Sequence, residues 1–516
     1  MSKILTSISS FFLFKERSTT FKKEILGGLS TFLAMAYILA VNPSMLSNAN
    51  GGHDYAGVFF LGTAISAFVA TLAMGLYAKV PVALAPGMGV NAFFAYTVAG
   101  NIMGLQVENA LIATFVSGIL YAIIAMTPVR HLMAKLLPKN IKIAIGAMIG
   151  LFLAFIGLND SGIIVSDSFS INAPGSFITS ATKTKFGNIA DPFVIIAIIT
   201  VLLVFVLHFL KIKGGALIAM VAAVIMVAIA YGAGVTDAKN AFHIQSYDSF
   251  SKFPELGSKM WSSVGSSLSN GKIYIAIFVF LYVDFFDTTG TLFAIDHQAN
   301  LSKTDAKWMK KANTVDAFST IFGSTMLTST TTSFSESSVG VSQGARTGFA
   351  SVITGTLFGL AIAMWPIMSP ILPIEHALNG VAAQNSPFSP TVMPVTGPIL
   401  ILVGSLMLSQ LKHFEWSKTI DIPVLFISLI IGTLSFSIST GIAAAMILYF
   451  FLNASQLVYL SIKNAKGKVT DEDEEGNKIN IKSEIKRIKS EVLNPMTIGM
   501  TLIALTYFIS MIWWAY

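Results

Sequence analysis

The sequence predicts an all-α polytopic membrane protein built from two inverted seven-element repeats. Three observations support this fold class: the composition, the order of the apolar runs, and the placement of the basic residues. Of the 516 residues, 54% are hydrophobic and only 11% are charged, and the mean hydropathy is +0.72. A soluble globular protein carries about 25% charged residues. The composition therefore excludes a soluble fold and predicts a chain that crosses a lipid bilayer many times.

The chain contains two series of apolar runs, and each series is interrupted at its third position. The uninterrupted runs lie at 25–46, 56–78, 108–127, 141–158, 192–210 and 215–235, and then at 272–296, 313–328, 347–369, 396–411, 420–435 and 439–460. The interrupted elements are 80–100, which is broken by prolines and glycines, and 327–344, which is polar. Because lipid-exposed irregular backbone is not tolerated, we predict that each is a short strand plus a half-helix inside the protein. This order is typical of inverted-repeat secondary transporters.

The same pattern sets the boundaries of the predicted segments. They are a cytoplasmic N-terminal segment at 1–24, a first repeat at 25–235, an external loop at 236–271, a second repeat at 272–460, a charged cytoplasmic linker at 461–491 and a C-terminal apolar helix at 492–516. The linker carries the runs DEDEE and KRIK, which predict a solvated loop. The apolar run at 496–514 would be a fifteenth element outside the repeats.

The basic residues predict the orientation of the chain. With a cytoplasmic N-terminus, 27 of the 33 Lys and Arg residues fall on the inner side if both interrupted elements count as crossings. This asymmetry follows the positive-inside rule. We therefore predict a multi-pass protein of the plasma membrane whose N-terminus is cytoplasmic. The formal charge of +7 is explained by this topology, and no nucleic-acid partner is expected.

Several kinds of chemistry are excluded by residues and motifs that the sequence lacks. Without cysteine there are no disulfides, thiolate metal sites or cysteine nucleophiles. The sequence also lacks GxxxxGK[ST], HExxH and GxSxG. We therefore expect neither an enzyme nor an ATP-driven pump, and no cofactor.

The candidate functional residues are carboxylic acids within the predicted spans. Asp284 and Asp287 lie in FLYVDFFDTTGTL and Glu336 lies in SFSESSVGV. An acid at the centre of a membrane helix costs about 2.5 to 3.5 kcal/mol on insertion scales, which makes a function the default hypothesis. Asp296 and Asp316 lie nearer an inner end, where a helix cap or an internal salt bridge is the commoner role.

Spacing places several of these groups on one face of a helix. Asp284, Asp287, Thr288 and Thr291 follow helical spacings of three, four and seven, so this polar face should look into the helix bundle. A buried carboxyl group readily holds a proton, and an incoming hydrogen-bonding solute can change that preference. Asp284 and Asp287 also have the DxxD spacing of a metal pair, but no further carboxylate or His lies nearby in sequence to complete the shell, so no metal site is expected.

The interrupted elements would supply the other part of a binding site. A half-helix that begins near the middle of the membrane exposes free backbone N–H groups and a positive dipole end. Such groups suit a flat, polar, uncharged heterocycle, and we expect Asn91 and Glu336 to point toward the same centre. The predicted solute-binding residues are Gly89, Asn91, Asp284, Thr288, Glu336 and Ser337, and the predicted proton-coupling residues are Asp284, Asp287 and Glu336.

Four stretches make the sequence resemble a known family. They are GGLSTFLAMAYILAVNP (27–43), APGMGVNAFFAYTV (85–98), FLYVDFFDTTGTL (280–292) and TSTTTSFSESSVGVSQGARTGF (328–349). They resemble the AzgA-like purine permeases, a branch of the nucleobase cation symporters. The resemblance implies a core domain at 25–127 and 272–370, a gate domain at 139–235 and 396–460, and alternating access between the two. It also implies import of purine bases such as hypoxanthine, guanine or adenine together with protons.

The resemblance carries over to individual residues. It places the acid of the eighth element at Asp284, with Asp287 on the same face, the acid of the tenth element at Glu336, and the amide of the third element at Asn91. Ser337 stands where the wider group has Asn, and Thr288 stands where some uracil carriers have His. The preferred purine, coupling to H⁺ or to Na⁺, and a homodimer all stay open.

Three other functions remain to be weighed against purine symport. An anion permease of the sulfate type would share the architecture, but it requires positive charge where this chain places acids. An intramembrane enzyme could use Asp284 and Asp287 as acid and base. A passive channel would show no response of uptake to a pH gradient.

Overall fold

The apolar runs form helices in the computed structural model. It describes residues 2–100, 103–127, 138–169, 181–233, 247–305, 307–368, 376–377, 391–435, 437–466, 470–472, 478–493, 497–499, 501–502 and 504–505. The helices of the first half are α1 (Ser2–Phe11), α2 (Phe21–Met35), α3 (Ile38–Ser47), α4 (Ala56–Ala73), α5 (Met88–Ala92), α6 (Val107–Met126), α7 (Lys139–Asp160), α8 (Pro192–Phe209) and α9 (Gly215–Gly232). Wider π-helical turns extend α4 to Ala78 and α5 to Val98.

The second half repeats the pattern. Its helices are α10 (Phe253–Ser262), α11 (Val264–Ser269), α12 (Gly271–Ala299), α13 (Trp308–Thr325), α14 (Ser337–Ser342), α15 (Gly348–Ala361), α16 (Trp365–Met368), α17 (Gly397–Leu408), α18 (Asp421–Leu434), α19 (Ile438–Ala465) and α20 (Ile481–Val492). Four short antiparallel strand pairs are present: β1 (Leu84–Pro86) with β4 (Thr331–Ser333), β2 (Ile164–Phe169) with β3 (Ala181–Phe186), β5 (His376–Ala377) with β6 (Thr391–Val392), and β7 (Thr470–Glu472) with β8 (Lys478–Asn480). The predicted all-α fold class is confirmed.

Six helical segments of the described chain are long and apolar enough to cross a membrane. They are Phe21–Ser47, Ala56–Ala78, Val107–Met126, Lys139–Asp160, Pro192–Phe209 and Thr440–Ala465. Shorter apolar helices include Gly215–Ala230 and Asp421–Leu434. The protein is therefore a multi-pass membrane protein, as the composition predicts.

Many helices begin where a side chain caps the free backbone N–H groups of the first turn. Such a cap satisfies one of the four donors that a helix start leaves unpaired. The capping residues are Thr20, Asp191, Asn270, Thr347, Ser437 and Asn480. At the other end of α12, Asn300 adopts φ 51°, a left-handed conformation that ends the helix.

The two interrupted elements pair with each other. Leu84 lies opposite Ser333, Ala85 opposite Thr332 and Pro86 opposite Thr331 in an antiparallel register. Each strand leads directly toward a short helix, α5 or α14, as the sequence predicts. The pairing satisfies backbone groups that no helix satisfies, which is required of irregular backbone inside a membrane protein.

The charged linker differs from the prediction of a solvated loop. Residues 481–492 form α20, whose buried side chains Ile481, Ile488 and Val492 pack with Leu460 of α19. The spacing of these apolar residues gives one helix face, while Arg487 pairs with Glu484 and Glu491 on the solvent side. The predicted fifteenth element at 496–514 lies largely outside the described residues.

The chain divides into two compact units. One comprises Met1–Ile123 and Leu153–Val403, and the other comprises Ile124–Phe152 and Gly404–Tyr516. The first unit contains both interrupted elements and every candidate site residue. In the second unit, Asn140 of α7 donates a 2.8 Å hydrogen bond to the Asp421 carboxylate at the start of α18.

Within the first unit, α14 packs closely on α2 because both helices carry glycine at the contact. A Cβ atom on Gly340 would lie 2.6 Å from the carbonyl oxygen of Gly27 and would also overlap the hydroxyl of Thr31. The backbone of α2 therefore fixes the position of the second half-helix.

Gly340→Ala is expected to lower the free energy of unfolding by about 1 to 3 kcal/mol, the usual cost of overpacking. Thermal unfolding of the purified protein in detergent measures the effect. Gly271→Ala is the matched control, because no atom lies within 4 Å of a Cβ built there. Equal unfolding temperatures for the two variants would contradict the close contact.

Candidate functional site

The site is centred on the strand pair formed by β1 and β4. Hydrogen bonds extend the pairing at both ends: the Gly87 N–H donates to the Thr330 carbonyl at 3.0 Å, and the Phe334 N–H donates to the Ala83 carbonyl at 2.9 Å. Because the strands are antiparallel, α5 and α14 leave from opposite ends of the pair. The N-termini of both half-helices therefore face the strand pair, and their dipoles place partial positive charge on either side of it.

The hydroxyl of Ser337 fixes the start of the second half-helix. It accepts a hydrogen bond of 3.0 Å from the backbone N–H of Ala83, which precedes β1. Ser337 is fully buried. Its side chain therefore connects the two repeats at the point where α14 begins.

Asn91 is fully buried within the first half-helix and bonds within the protein. Its side-chain oxygen accepts a hydrogen bond from the Ser329 hydroxyl, and its amide nitrogen donates to the Pro86 carbonyl at 3.4 Å. Gly89 is buried in the same turn. The antiparallel register places Asn91 and Glu336 beyond opposite ends of the strand pair. That these two side chains point toward one solute-binding centre stays a prediction.

Glu336 lies directly before α14 and is held by a tyrosine. The Tyr37 hydroxyl donates a 2.6 Å hydrogen bond to Oε1 of Glu336, and the Ser335 hydroxyl donates to Oε2 at 3.2 Å. Tyr37 is buried between α2 and α3, whereas Glu336 is half-buried. One side of the Glu336 carboxyl group is therefore fixed by the protein while part of the side chain remains accessible.

Asp287 is the second accessible acid of the site. It is half-buried on α12, and its carboxyl group lies close enough to Glu336 for the two charges to interact. Asp287 and Glu336 together form the accessible part of the site.

Asp284 and Thr288 lie deeper, on the polar face of α12 that the spacing predicted. Oδ2 of Asp284 accepts a hydrogen bond of 2.7 Å from the Thr320 hydroxyl of α13, and the residue is 1% exposed. Thr288 donates a 2.6 Å hydrogen bond to Asp316 and lies 2.6 Å from the Thr332 hydroxyl of β4. This face therefore contacts both α13 and the strand pair.

No basic side chain neutralises these acids in the described part of the chain. The ion pairs there involve acids of loops and helix ends, such as Asp305, Glu415 and Glu484. The partners of Asp284, Asp316 and Glu336 are hydroxyl groups instead. Within the described residues, no group of three His, Asp or Glu side chains could hold a metal ion.

The structure gives different roles to Asp296 and Asp316, the two acids for which a helix cap or a salt bridge was the commoner expectation. Asp296 caps the turn after α12, since its carboxylate accepts hydrogen bonds from the backbone N–H and hydroxyl of Ser302 at 2.8 and 2.5 Å. Asp316 is fully buried and accepts hydrogen bonds from Thr288 and, at 2.8 Å, from Ser333 of β4. Asp316 therefore belongs to the site, and the expectation of a cap was wrong for it.

Sequence reasoning also missed Tyr37 and Thr320. Tyr37 lies in an apolar run with no local signal that its hydroxyl has a partner. Thr320 stands four residues after Asp316, as Thr288 stands four residues after Asp284. This repeated D-x-x-x-T spacing is the signal that could have identified both Asp316 and Thr320.

An apolar multi-pass fold in which two half-helices face a strand pair beside buried acids defines a membrane transporter rather than an enzyme. Residues 22–374 match the Permease family (Xan_ur_permease), and the chain belongs to this xanthine/uracil permease family. This confirms the transporter class, and the family agrees with the resemblance of the four sequence stretches.

Two relatives from Bacillus subtilis (strain 168) share about a third of their residues with this chain. It is 34% identical over 449 residues to the guanine/hypoxanthine permease PbuO, covering 86% of this chain and 94% of PbuO. It is 36% identical over 451 residues to the guanine/hypoxanthine permease PbuG, covering 86% of this chain and 93% of PbuG.

A solved structure shares the fold. The transmembrane domain of the cyanobacterial bicarbonate transporter BicA superposes with a TM-score of 0.55 at 15% identity, covering 82% of this chain and 96% of that domain. At this identity the likeness shows the inverted-repeat architecture alone.

Proposed function

We propose that the protein imports purine nucleobases, hypoxanthine or guanine and also adenine, by proton symport across the plasma membrane. The observation that carries this proposal is a set of acids that accept hydrogen bonds from hydroxyl groups and that no basic side chain neutralises in the described part of the chain, beside the two half-helices. The family and the printed names of PbuO and PbuG support the purine as substrate. The cytoplasmic N-terminus and the alternating access of the core parts (25–127 and 272–370) against the gate parts (139–235 and 396–460) belong to the same proposal.

The chemistry of the site suits a neutral purine. The edge of a purine base presents ring N–H groups and carbonyl or ring nitrogen acceptors. Oδ1 of Asp284 has no hydrogen-bond partner among the described residues and can bond to the base, and the accessible carboxyl groups of Asp287 and Glu336 offer acceptors. The N–H groups at the start of α5 can donate to the acceptors of the base. At the start of α14, the N–H groups of Ser337, Ser338 and Val339 already donate to the carbonyls of Phe334, Ser335 and Glu336.

An anion permease is the alternative that shares the fold, as BicA illustrates. Its substrate would have to enter a site whose side chains are carboxyl groups. Repulsion between like charges in a poorly screened interior disfavours this strongly.

Uptake into proteoliposomes tests the proposal. Radiolabelled hypoxanthine should accumulate when the outside is acidified, and unlabelled guanine and adenine should compete while sulfate should not. The same assay with and without Na⁺ decides between the two coupling ions. Accumulation driven only by Na⁺ would contradict proton symport, and competition by sulfate alone would contradict purine transport.

Tyr37→Phe is expected to weaken the apparent affinity for hypoxanthine by about tenfold or more. The phenol is the buried donor that orients Glu336, and a hydrogen bond to a charged group contributes about 1.5 to 3 kcal/mol. The measurement is the concentration dependence of initial uptake. Tyr77→Phe is the control, because Tyr77 is 59% exposed. Unchanged affinity in Tyr37→Phe would show that Glu336 does not depend on this bond.

A further inference from the structure

Helices α12 and α13 carry the same four-residue motif and exchange hydrogen bonds through it. Asp284 and Thr288 form the motif on α12, and Asp316 and Thr320 form it on α13. Residues four apart lie on one helix face. The Thr320 hydroxyl donates to Asp284 at 2.7 Å, and the Thr288 hydroxyl donates to Asp316 at 2.6 Å. The two acids are therefore connected reciprocally, each by the threonine of the other motif.

The two carboxyl groups differ in how completely they are hydrogen-bonded. Both oxygens of Asp316 accept a hydrogen bond, one from Thr288 and one from Ser333. At Asp284 only Oδ2 accepts one, and Oδ1 has no partner among the described residues. A carboxylate that accepts hydrogen bonds at both oxygens is favoured in its ionised form, whereas a free buried oxygen is the place where a proton can bind.

Two negative charges in one buried network repel each other strongly. The titratable groups that face this pair are Asp287 on α12, Tyr121 on α6 and, beyond Asp287, Glu336 before α14. The facing segment Leu84–Ala92, which contains β1 and α5, carries no titratable side chain. The arrangement thus favours one proton on the pair, and its place is Oδ1 of Asp284.

We propose that Asp316 is the permanently ionised member of this pair and that its charge holds the transported proton on Asp284. Asp316 is thus a positioning residue for proton coupling, and the inference rests on the proposed proton symport. The proton arrives from external water, is held as an O–H group on Asp284 that can donate to the purine, and returns to water on the inside. No bond of the purine forms or breaks.

The pH dependence of hypoxanthine binding to the purified protein tests the pairing. In Asp316→Asn the neighbouring charge is gone, so Asp284 loses its proton more readily and the pH profile moves to more acidic values by about one pH unit or more. Asp316→Glu restores the charge and should return the profile toward the wild type. Ser333→Ala removes one hydrogen bond but keeps the charge, so it should leave the profile in place even if binding weakens.

Infrared difference spectroscopy supplies a second measurement that does not depend on Asp316 variants being stable. The band of a protonated carboxyl group should be present in the wild type and absent in Asp284→Asn. If Asp284→Asn keeps the band, or if a folded Asp316→Asn keeps the wild-type pH profile, the pairing is overturned. Hypoxanthine binding by the wild type that does not respond to pH would instead overturn the proposed proton symport.

Discussion

Asp284→Asn is expected to abolish concentrative uptake of hypoxanthine while leaving the protein folded. The asparagine oxygen can still accept the hydrogen bond from Thr320, so the contact between α12 and α13 is kept. An amide cannot bind and release a proton near neutral pH, so the proton gradient can no longer drive the base. The inside-to-outside ratio of labelled hypoxanthine should fall to about one at equilibrium, because uncoupled transport only equalises the two concentrations.

Asp296→Asn provides the matched control on the same helix. Asp296 caps the turn after α12 through Ser302, away from the strand pair. Its variant should accumulate hypoxanthine as the wild type does. Accumulation against a gradient by Asp284→Asn itself would show that proton coupling does not depend on this residue.

Glu24→Ala is expected to lower the free energy of unfolding by about 3 kcal/mol or more, which is the largest loss of stability among the variants proposed. Glu24 is fully buried at the start of α2, and its carboxylate accepts hydrogen bonds from the backbone N–H groups of Arg346, Thr347 and Ala350 at 2.8, 3.2 and 3.2 Å. These donors belong to the first turn of α15 and the residues directly before it. Each buried N–H group left without a partner costs about 1 to 3 kcal/mol.

Thermal unfolding in detergent measures the loss. Glu24→Gln keeps one carbonyl oxygen as acceptor and should fall between the wild type and Glu24→Ala. Glu16→Ala is the control, since Glu16 is an exposed acid of the same N-terminal segment. If Glu24→Ala unfolded at the same temperature as Glu16→Ala, the cap on α15 would contribute nothing to stability.

The sequence was sufficient to predict features that depend on local pattern. Prolines and glycines in 80–100 predicted an interrupted element, and the spacing of Asp284 and Thr288 predicted a polar face on α12. Both follow from the geometry of a single segment. The structure confirms both predictions because each depends only on the residues within one segment.

Features that depend on distant partners could not be predicted in this way. Tyr37 and Glu336 are separated by 299 positions, and Glu24 and Ala350 by 326. No local periodicity marks such pairs. The expected common centre of Asn91 and Glu336 stays a prediction, because it depends on the direction in which each half-helix leaves the strand pair, and the register of β1 against β4 sets that direction.

Two other differences between prediction and structure had signals in the sequence. The apolar spacing of Ile481, Ile488 and Val492 is that of an amphipathic helix, although the charged runs nearby favoured a loop. Asp316 was interpreted only from its position near the inner end of a predicted span, whereas the shared D-x-x-x-T spacing would have connected it to Asp284.

The strand pair also constrains how the protein is made. The strand β1 is paired with a strand about 245 residues later in the chain. At a synthesis rate of about 5 to 20 residues per second, roughly 12 to 50 s pass between the appearance of the two strands. During that interval the backbone of Leu84–Pro86 lacks the partner that makes it tolerable in hydrocarbon, where each unpaired polar group costs several kcal/mol. The third element must therefore remain outside the lipid core, or its backbone groups must bond to a temporary partner, until the second repeat has been synthesised.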